Sequence, residues 1–325
     1  MAEWLIEEGI GEHRAITLNG AQIDAARLDW PGELKAGQVA DAVLFQRMPG
    51  GETGYARFSD GQCAFVDRLP RSASEGSTVR LEVIRASVGE ARRCKLARAR
   101  PTKAPLRCAT LLAEDLRAEG HDTRIVRSFP QCDWSELIEV AQTGQIDLGS
   151  ASLHFSPTPA MTLVDIDGSS PPARLALEAV LPIAAAIRRF DLGGSVGIDF
   201  PTLEARSDRR KVDEAIEMAL AHWPHARTAM NGFGFVQLVA KLERPSLLHR
   251  AQFRRTAFAA RQAMRLAEHA QGTGTVLQLR LHPALASQIR EDWLRELRRR
   301  TGREIVIETD PALAIESPHA QFVSA

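Results

Sequence analysis

The sequence predicts a mixed α/β protein, in which a β-rich amino-terminal part with a small barrel precedes an α/β core and a smaller α/β module. Three observations indicate this fold class. Short apolar runs between turn residues fill residues 3–100, strands alternate with long helices after residue 150, and a smaller version of that alternation closes the chain. With 325 residues and 44% hydrophobic content, the chain can bury more than one core.

The charge balance excludes some classes of protein. The chain carries 41 basic and 41 acidic side chains, so it is not a globally basic nucleic-acid coat protein, and it is too apolar for a disordered tail. Its longest apolar stretch, residues 179–187, is far shorter than the roughly 20 residues that cross a bilayer. The amino terminus lacks the basic and apolar regions of a secretory leader. We therefore expect a cytoplasmic protein with no membrane partner.

The cysteines do not form a zinc motif. They contain no CxxC pair, and no nearby histidine completes a zinc pattern (Cys63, Cys94, Cys108 and Cys132). Reduced thiols are therefore expected rather than a disulfide framework or structural zinc.

The amino-terminal part is predicted to contain short strands. Turn signals such as Asn19-Gly20 and Asp60-Gly61 separate them at intervals typical of a small sandwich or barrel. The predicted strands lie at residues 4–7, 15–18, 39–45, 55–58, 64–66 and 79–83. An OB-type barrel fits this spacing.

A basic stretch follows the barrel. Between Arg80 and Arg107, nine basic residues stand against Glu82 and Glu90, a local excess of seven positive charges. Such an excess is large enough to attract a polyanion, but a solvated strand end and linker would have the same composition. Charge alone does not decide between these interpretations.

The middle and central parts alternate helices and strands. Helices are predicted at residues 111–119, 134–142, 172–189 and from an N-cap at Ser207, and strands at residues 123–127, 153–156, 161–165 and 195–200. The apolar helix at residues 172–189 is expected to be packed on both sides, and residues 233–242 are predicted to pass from strand to helix. This succession indicates a parallel α/β layer with its ligand site at the carboxyl ends of the strands.

The end of the chain has the same alternation on a smaller scale. We predict a helix at residues 257–269, a strand at 276–281, a helix at 283–300 with Gly302 as its C-cap, and a strand at 304–308.

Three aspartates lie where this architecture predicts a site. Asp165 and Asp167 follow one apolar strand, and Asp199 follows the next. A carboxylate in such a run is costly to bury unless it is paired, hydrogen-bonded or bound to a cation, and Mg²⁺ is the natural candidate. Aspartates at these positions also commonly cap helices or begin loops, and spacing alone does not decide.

Four sequence blocks resemble successive motifs of the ribonuclease E/G family nuclease domain. They are residues 161–168 (MTLVDIDG), 191–200 (DLGGSVGIDF), 233–238 (FGFVQL) and 244–247 (RPSL). Their order and spacing are also similar to the family's. The similarity extends more weakly to both ends of the chain.

The resemblance implies a ribonuclease H-like nuclease core with an inserted OB-type β-barrel and a small C-terminal α/β domain. The implied parts are amino-terminal strands on the nuclease core at residues 1–34, the RNA-binding barrel at 35–100, a reduced 5′-sensor-like segment at 101–149, the nuclease core at 150–248 and the carboxyl-terminal domain at 249–325.

The resemblance also implies an endoribonuclease. The family uses Mg²⁺ to activate water, cleaves single-stranded RNA and leaves 5′-phosphate products, and Mn²⁺ is an alternative metal. Asp165 and Asp199 fall at the family's metal positions. Asp167 falls where the family usually carries an asparagine, and we include it among the catalytic candidates.

Other positions match the family's RNA contacts. Tyr55 and Phe65 fall where the family presents aromatic residues to bases, with core packing of the barrel as the alternative. Arg85 and Arg92 fall at basic contacts. Residues 125–128 resemble the family's pocket for a 5′-monophosphate, which makes Arg127 and Ser128 candidates. Arg127 is equally well explained as a residue of an ordinary surface strand.

The sequence also departs from the family. No CxxC zinc link follows residues 244–247, so we expect no zinc, no zinc-bridged tetramer and a monomer or homodimer. The short middle part and Asp167 favour a second hypothesis, an RNA-binding protein of the same fold with weak or no cleavage. Both metal-position aspartates are present, which favours the enzyme.

Overall fold

The computed structural model describes residues 3–91 and 93–324. In chain order, the strands are β1 (Trp4–Gly9), β2 (Glu12–Asn19), β3 (Gln22–Asp29), β4 (Val39–Arg47), β5 (Gly54–Phe58), β6 (Cys63–Val66), β7 (Thr78–Arg85), β8 (Val88–Gly89), β9 (Cys94–Lys95), β10 (Ala97–Pro101), β11 (Thr123–Val126), β12 (Gln145–Asp147), β13 (Ala151–Pro157), β14 (Thr162–Gly168), β15 (Ser195–Asp199), β16 (His225–Arg227), β17 (Phe235–Ala240), β18 (Val276–Leu281), β19 (Glu304–Thr309) and β20 (His319–Val323).

The helices follow the barrel in the chain. They are α1 (Leu112–Ala118), α2 (Trp134–Thr143), α3 (Pro172–Arg189), α4 (Arg206–Ala219), α5 (Arg255–Glu268), α6 (Pro283–Ala286) and α7 (Glu291–Thr301), with a π-helical segment at His249–Phe253. Within the two described ranges, every helix is too short or too polar to traverse a lipid bilayer.

The predicted barrel is confirmed as a closed barrel of five strands in the order β10-β6-β5-β4-β7. Inward-facing apolar side chains such as Leu44, Val66 and Leu81 fill it, because successive side chains of a strand point to opposite faces. A separate sheet in the order β11-β1-β2-β3 is built by the first three strands and by β11, which runs parallel to β1.

The central sheet has the order β12-β13-β14-β15-β17-β16. Only β14 and β15 run parallel, and the other pairs are antiparallel, so the prediction of a parallel layer was wrong for most of the sheet. The reason is the length of the connections. Short turns join β12 to β13 and β13 to β14, whereas β14 reaches β15 through the whole of α3.

Helix α3 lies between the amino-terminal sheet and the central sheet and contacts β3, β13, β14 and α4. Buried residues of α3 such as Ala179 and Ile183 belong to the same apolar core as Val164 and Ile198 of the central sheet. Leu181, on the remaining side of α3, is exposed. The helices thus cover one face of the central sheet.

Several predicted boundaries were wrong. Helix α4 begins at Arg206 with Ala205 at its N-cap, not at Ser207. Residues 233–242 contain the strand β17 but no helix, and the predicted helix at 283–300 is divided into α6 and α7. Gly302 does end α7 in the left-handed conformation. The five-part division of the chain stays a prediction.

Candidate functional site

Two carboxylates lie side by side on the uncovered face of the central sheet. Asp165 of β14 and Asp199 of β15 are directly opposite each other in the register of this parallel pair. Because neighbouring strands are about 4.8 Å apart, the two Cα atoms are separated by roughly that distance. Both residues are exposed, since strand alternation turns them away from the buried Val164 and Ile198. The sheet therefore avoids the cost of burying either charge.

The oxygens of this pair are largely available. One carboxylate oxygen of Asp165 accepts a hydrogen bond from the backbone amide of Ile166 at 3.0 Å. Within residues 3–91 and 93–324, the carboxylate of Asp199 accepts no hydrogen bond. Neither aspartate caps a helix, because the N-caps of α3 and α4 are Pro171 and Ala205.

Asp167 belongs to a different row of the sheet. It is exposed on the same face as Asp165, but it lies opposite Ser152 of β13, which in turn pairs with Asp147 of β12. Asp167, Ser152 and Asp147 line a groove of about 470 Å³. Asp167 is therefore placed beside the carboxylate pair, about 7 Å farther along the strand, rather than between its two members.

His154 was not singled out from the sequence. It is exposed in β13 and lies opposite Asp165, on the side away from Asp199. Phe235 of β17 lies opposite Asp199 on the other side. The row across the sheet is therefore His154, Asp165, Asp199 and Phe235. The alternation of Leu153, His154 and Phe155 in β13 was the available signal, but register with β14 cannot be inferred from it.

The two carboxylates of the row suit a hard cation that also binds the substrate. In the described part of the chain, no group of three or more His, Cys, Asp or Glu residues is arranged to hold a metal ion. Mg²⁺ is commonly held by one or two carboxylates together with water and substrate phosphates. Asp165 and Asp199 fit that mode of binding, and they do not form a closed metal cage.

Tyr55 and Phe65 lie together on the outside of the barrel. They are directly opposite each other in β5 and β6, and their ring centroids are 5.7 Å apart at an interplanar angle of 69°. Both side chains are half-buried and lie outside the apolar cluster that fills the barrel. Their rings are thus presented at the surface of the barrel.

The basic candidates differ from one another. The guanidinium of Arg85 donates to the carbonyl of Leu96 at 2.8 Å, and burial, with Arg98 nearby, lowers the pKa of Arg85. Arg85 is therefore partly engaged in holding the barrel. Arg92 lies outside the described residues.

Acidic partners reduce the charge of the basic stretch. Asp41 and Asp67, which lie outside that stretch in sequence, pair with Arg80 and Arg98 at 2.9 and 2.6 Å. Arg100 pairs with Glu82, and Arg93 and Lys95 pair with Glu90. The local positive excess is therefore smaller by two charges than the linear count indicated.

One exposed aromatic side chain lies at the edge of the sheet near Asp199. Phe233 is 82% exposed, although its loop is well defined: the side-chain oxygen of Asn231 accepts from the amides of Phe233 and Phe235 at 2.9 and 3.0 Å. Gly234 has φ +88°, and a Cβ there would collide with the carbonyl oxygen of Phe200. A fixed loop thus presents the ring where β15 ends.

Arg127 lines a cavity of about 450 Å³ together with Glu7, Glu268 and Arg300, whereas Ser128 does not line it. Burial alone would raise the pKa of Glu7, but hydrogen bonding and charge from Arg265 hold it below its usual value. Arg300 pairs with Glu268 at 2.6 Å. Arg127 is exposed and makes no ion pair within the described ranges. Arg127 thus reaches this cavity, and the phosphate pocket itself stays a prediction.

Comparison with curated proteins finds distant relatives. No family model matches the chain. Ribonuclease G from Escherichia coli K12, from Shigella flexneri and from Salmonella typhimurium SL1344 are each 31% identical to it over 134 residues. The match covers 37% of this chain and only 27% of each relative's length. The predicted resemblance is thus confirmed as a distant relationship: the chain is related to the ribonuclease E/G family.

Proposed function

We propose that this protein is an endoribonuclease that cleaves single-stranded RNA with the help of Mg²⁺, or of Mn²⁺ in its place. The observation that carries the proposal is the direct pairing of Asp165 and Asp199 on the uncovered face of the central sheet. Two accessible carboxylates at adjacent positions suit a cation that also contacts a phosphate.

The proposal includes a finer description of the fold. We assign the central sheet to a ribonuclease H-like nuclease core and the barrel to the OB type. The resemblance of the central sequence blocks supports the first assignment, and closure of five short strands supports the second. Distant relationship to ribonuclease G is compatible with both.

In this proposal, Asp165 and Asp199 hold the metal ion, and Asp167 adds negative charge beside them. When bound, Mg²⁺ would activate the attacking water and stabilise the charge that develops on the scissile phosphate. The register of β14 and β15 fixes the positions of the two carboxylates. Their geometry therefore does not depend on a flexible loop. Cleavage of the bond to the 3′ oxygen would leave a 5′-phosphate on the downstream product.

The barrel would hold the RNA. Tyr55 and Phe65 offer ring surfaces on which bases stack without regard to sequence, and such stacking is worth ~1 to 3 kcal/mol per base. The ammonium of Lys95 donates to the carbonyl of Pro159 at 2.7 Å. This bond ties the β8–β9 hairpin, which lies between the barrel strands β7 and β10 in the chain, to the loop that leads into β14, the strand of Asp165.

The second candidate function is RNA binding with weak or no cleavage. Asp167, placed in a groove beside the pair, favours it, because an additional carboxylate changes the charge that the metal and the phosphate meet. In either case, we propose a cytoplasmic protein that acts as a monomer or homodimer without a zinc bridge.

Incubation of the purified protein with labelled single-stranded RNA distinguishes the two functions. We expect internal cleavage with Mg²⁺, none with a chelator, and downstream fragments that a 5′-phosphate-dependent exonuclease degrades. Cleavage that persists in the chelator would contradict the metal-dependent mechanism. Tight binding without cleavage under any divalent cation would favour the second candidate.

A further inference from the structure

A band of outward-facing side chains crosses the barrel from strand to strand. Register places Arg85 of β7 opposite Arg98 of β10, Arg98 opposite Phe65 of β6, and Phe65 opposite Tyr55 of β5. At β4 the ladder changes register between Leu44 and Gln46. The band therefore reaches a β-bulge on its last strand.

Phe45 of β4 adds a third aromatic ring to the band. Ala42 and Leu44 are buried, whereas Phe45, the residue within the bulge, is 41% exposed. Strand alternation turns Phe45 outward, as it does Val43, which is 45% exposed. The ring centroid of Phe45 lies 6.2 Å from that of Tyr55 at an interplanar angle of 27°. Phe65, Tyr55 and Phe45 thus form a continuous series of rings over three strands.

A groove of about 370 Å³ begins at Phe45. Its lining combines the apolar Val43 and Phe58 with Arg57 and with Asp41, whose carboxylate pairs with Arg80 at 2.9 Å. This size lies within the range of roughly 300–1,000 Å³ that is usual for sites of small organic ligands. One end of the ring series therefore opens into a space with apolar walls, the cation of Arg57 and a carboxylate that is already paired.

Arg57 differs from Arg80, Arg98 and Arg100 on the barrel surface. Its guanidinium lies 5.1 Å from the ring centroid of Phe45, and it makes no ion pair or side-chain hydrogen bond within residues 3–91 and 93–324. Arg80, Arg98 and Arg100 all pair with carboxylates. Arg57 can therefore meet an anion without first losing a partner.

We propose that this groove is a further nucleotide-binding subsite for single-stranded RNA, in which Phe45 stacks on a base and Arg57 contacts the adjoining phosphate. The subsite extends the RNA-binding surface of Tyr55 and Phe65 by one nucleotide. The inference rests on the RNA-binding part of the proposed function and is independent of cleavage. Stacking on an aromatic ring beside an unpaired guanidinium is the mode by which single strands are commonly held.

The two side chains should contribute in different ways. Loss of the Phe45 ring removes stacking and should weaken binding at least fivefold, with little change in salt dependence. Loss of the Arg57 charge removes one phosphate contact, so the slope of log affinity against log salt should fall by about 0.7. If the two residues only supported the fold, one variant would not change affinity alone while the other changed the salt dependence.

The test uses the Asp199→Asn chain, so that RNA is bound without being cut, and fluorescence anisotropy with oligonucleotides of increasing length. Phe45→Ala and Phe45→Leu should leave the affinity for the shortest oligonucleotides that bind unchanged. They should abolish the gain in affinity that one added nucleotide gives. An abasic residue at that position should abolish the same gain in the parent chain. Arg57→Gln should lower the salt slope, whereas the control Arg100→Gln, whose side chain is paired with Glu82, should change it less.

Two results would overturn the inference. One is an unchanged length dependence in both Phe45 variants at an unchanged melting temperature. The other is that the Phe45 variants weaken binding of the abasic and the complete oligonucleotide equally, which would assign the groove to phosphate binding only. Cleavage by the native chain is measured separately, so failure of the nuclease proposal and failure of this subsite are distinguishable.

Discussion

Replacement of either paired aspartate should change stability in opposite directions with and without metal. The perturbations are Asp165→Asn and Asp199→Asn, each of which removes one of two like charges that face each other on adjacent strands. Without a divalent cation, each variant should be slightly more stable than the native chain. With Mg²⁺, each should be less stable, because the cation no longer finds both ligands.

The magnitudes follow from the position of the pair. Like charges directly opposite each other in a sheet cost ~0.2 to 1 kcal/mol, and solvent screening of these exposed side chains favours the lower value. The gain without metal should therefore be about 0.5 kcal/mol or less. In the native chain, Mg²⁺ at a hundred times its dissociation constant should add about 2.7 kcal/mol. The metal effect is thus several times larger than the repulsion that it replaces.

Denaturant titrations in excess Mg²⁺ and in chelator measure both quantities. Asp147→Asn is the matched control, because Asp147 is exposed in the same sheet but lies in the row of Ser152 and Asp167. We expect this control to retain the full Mg²⁺ effect. The reasoning would be refuted if Asp165→Asn and Asp199→Asn retained it as well, or if either were clearly destabilised in chelator.

Three further predictions concern other parts of the chain. Tyr55→Ala and Phe65→Ala should each weaken binding of single-stranded RNA by ~1 to 3 kcal/mol in anisotropy titrations, and a large fall in melting temperature would instead indicate core packing. Substrates with a 5′-monophosphate and a 5′-hydroxyl should be cut at rates that differ by less than about tenfold, and a larger preference that disappears in Arg127→Ala would reveal a working 5′-end pocket. Burial lowers the pKa of His249 to about 4 from an ordinary 6.5, so the unfolded chain binds more protons between these values and stability should rise with pH there, by up to about 3 kcal/mol. Denaturant titrations of His249→Gln across this pH range should be flatter, and an equally steep profile would contradict the assignment.

Local patterns predicted much of the fold. The short apolar runs between turn residues predicted the barrel, because each strand must turn one apolar face inward. The apolar spacing of residues 172–189 predicted α3 at the bounds that the structure has. The barrel strands and α3 depend on residues that are close together in the sequence. Their patterns can therefore be recognised from the sequence alone.

Pairing between distant strands could not be predicted in the same way. The mixed direction of the central sheet depends on turns between β12, β13 and β14, and the place of His154 beside Asp165 depends on the register of two strands. The place of Phe45 beside Tyr55 depends on the pairing of β4 with β5 and on the register shift between them. Neutralisation of Arg98 depends on Asp67, 31 residues away. Each is a consequence of tertiary contacts that leave no local pattern.

The strand pattern singled out the aspartates, and the family resemblance assigned two of them to the metal, since spacing alone left helix capping open. The structure then places Asp165 and Asp199 opposite each other and gives α3 and α4 other N-cap residues. Burial of the charges, which the strand pattern led us to consider, does not occur, because alternation turns both side chains outward.

The most direct test of the central claim is the rate at which the native chain, Asp165→Asn, Asp199→Asn and the control Asp147→Asn cleave one labelled single-stranded RNA in Mg²⁺ after identical purification. We predict cleavage by the native chain and the control, and loss of cleavage in both paired-aspartate variants with RNA binding retained. Undiminished cleavage by Asp165→Asn and Asp199→Asn would contradict the assignment of this pair as the metal site.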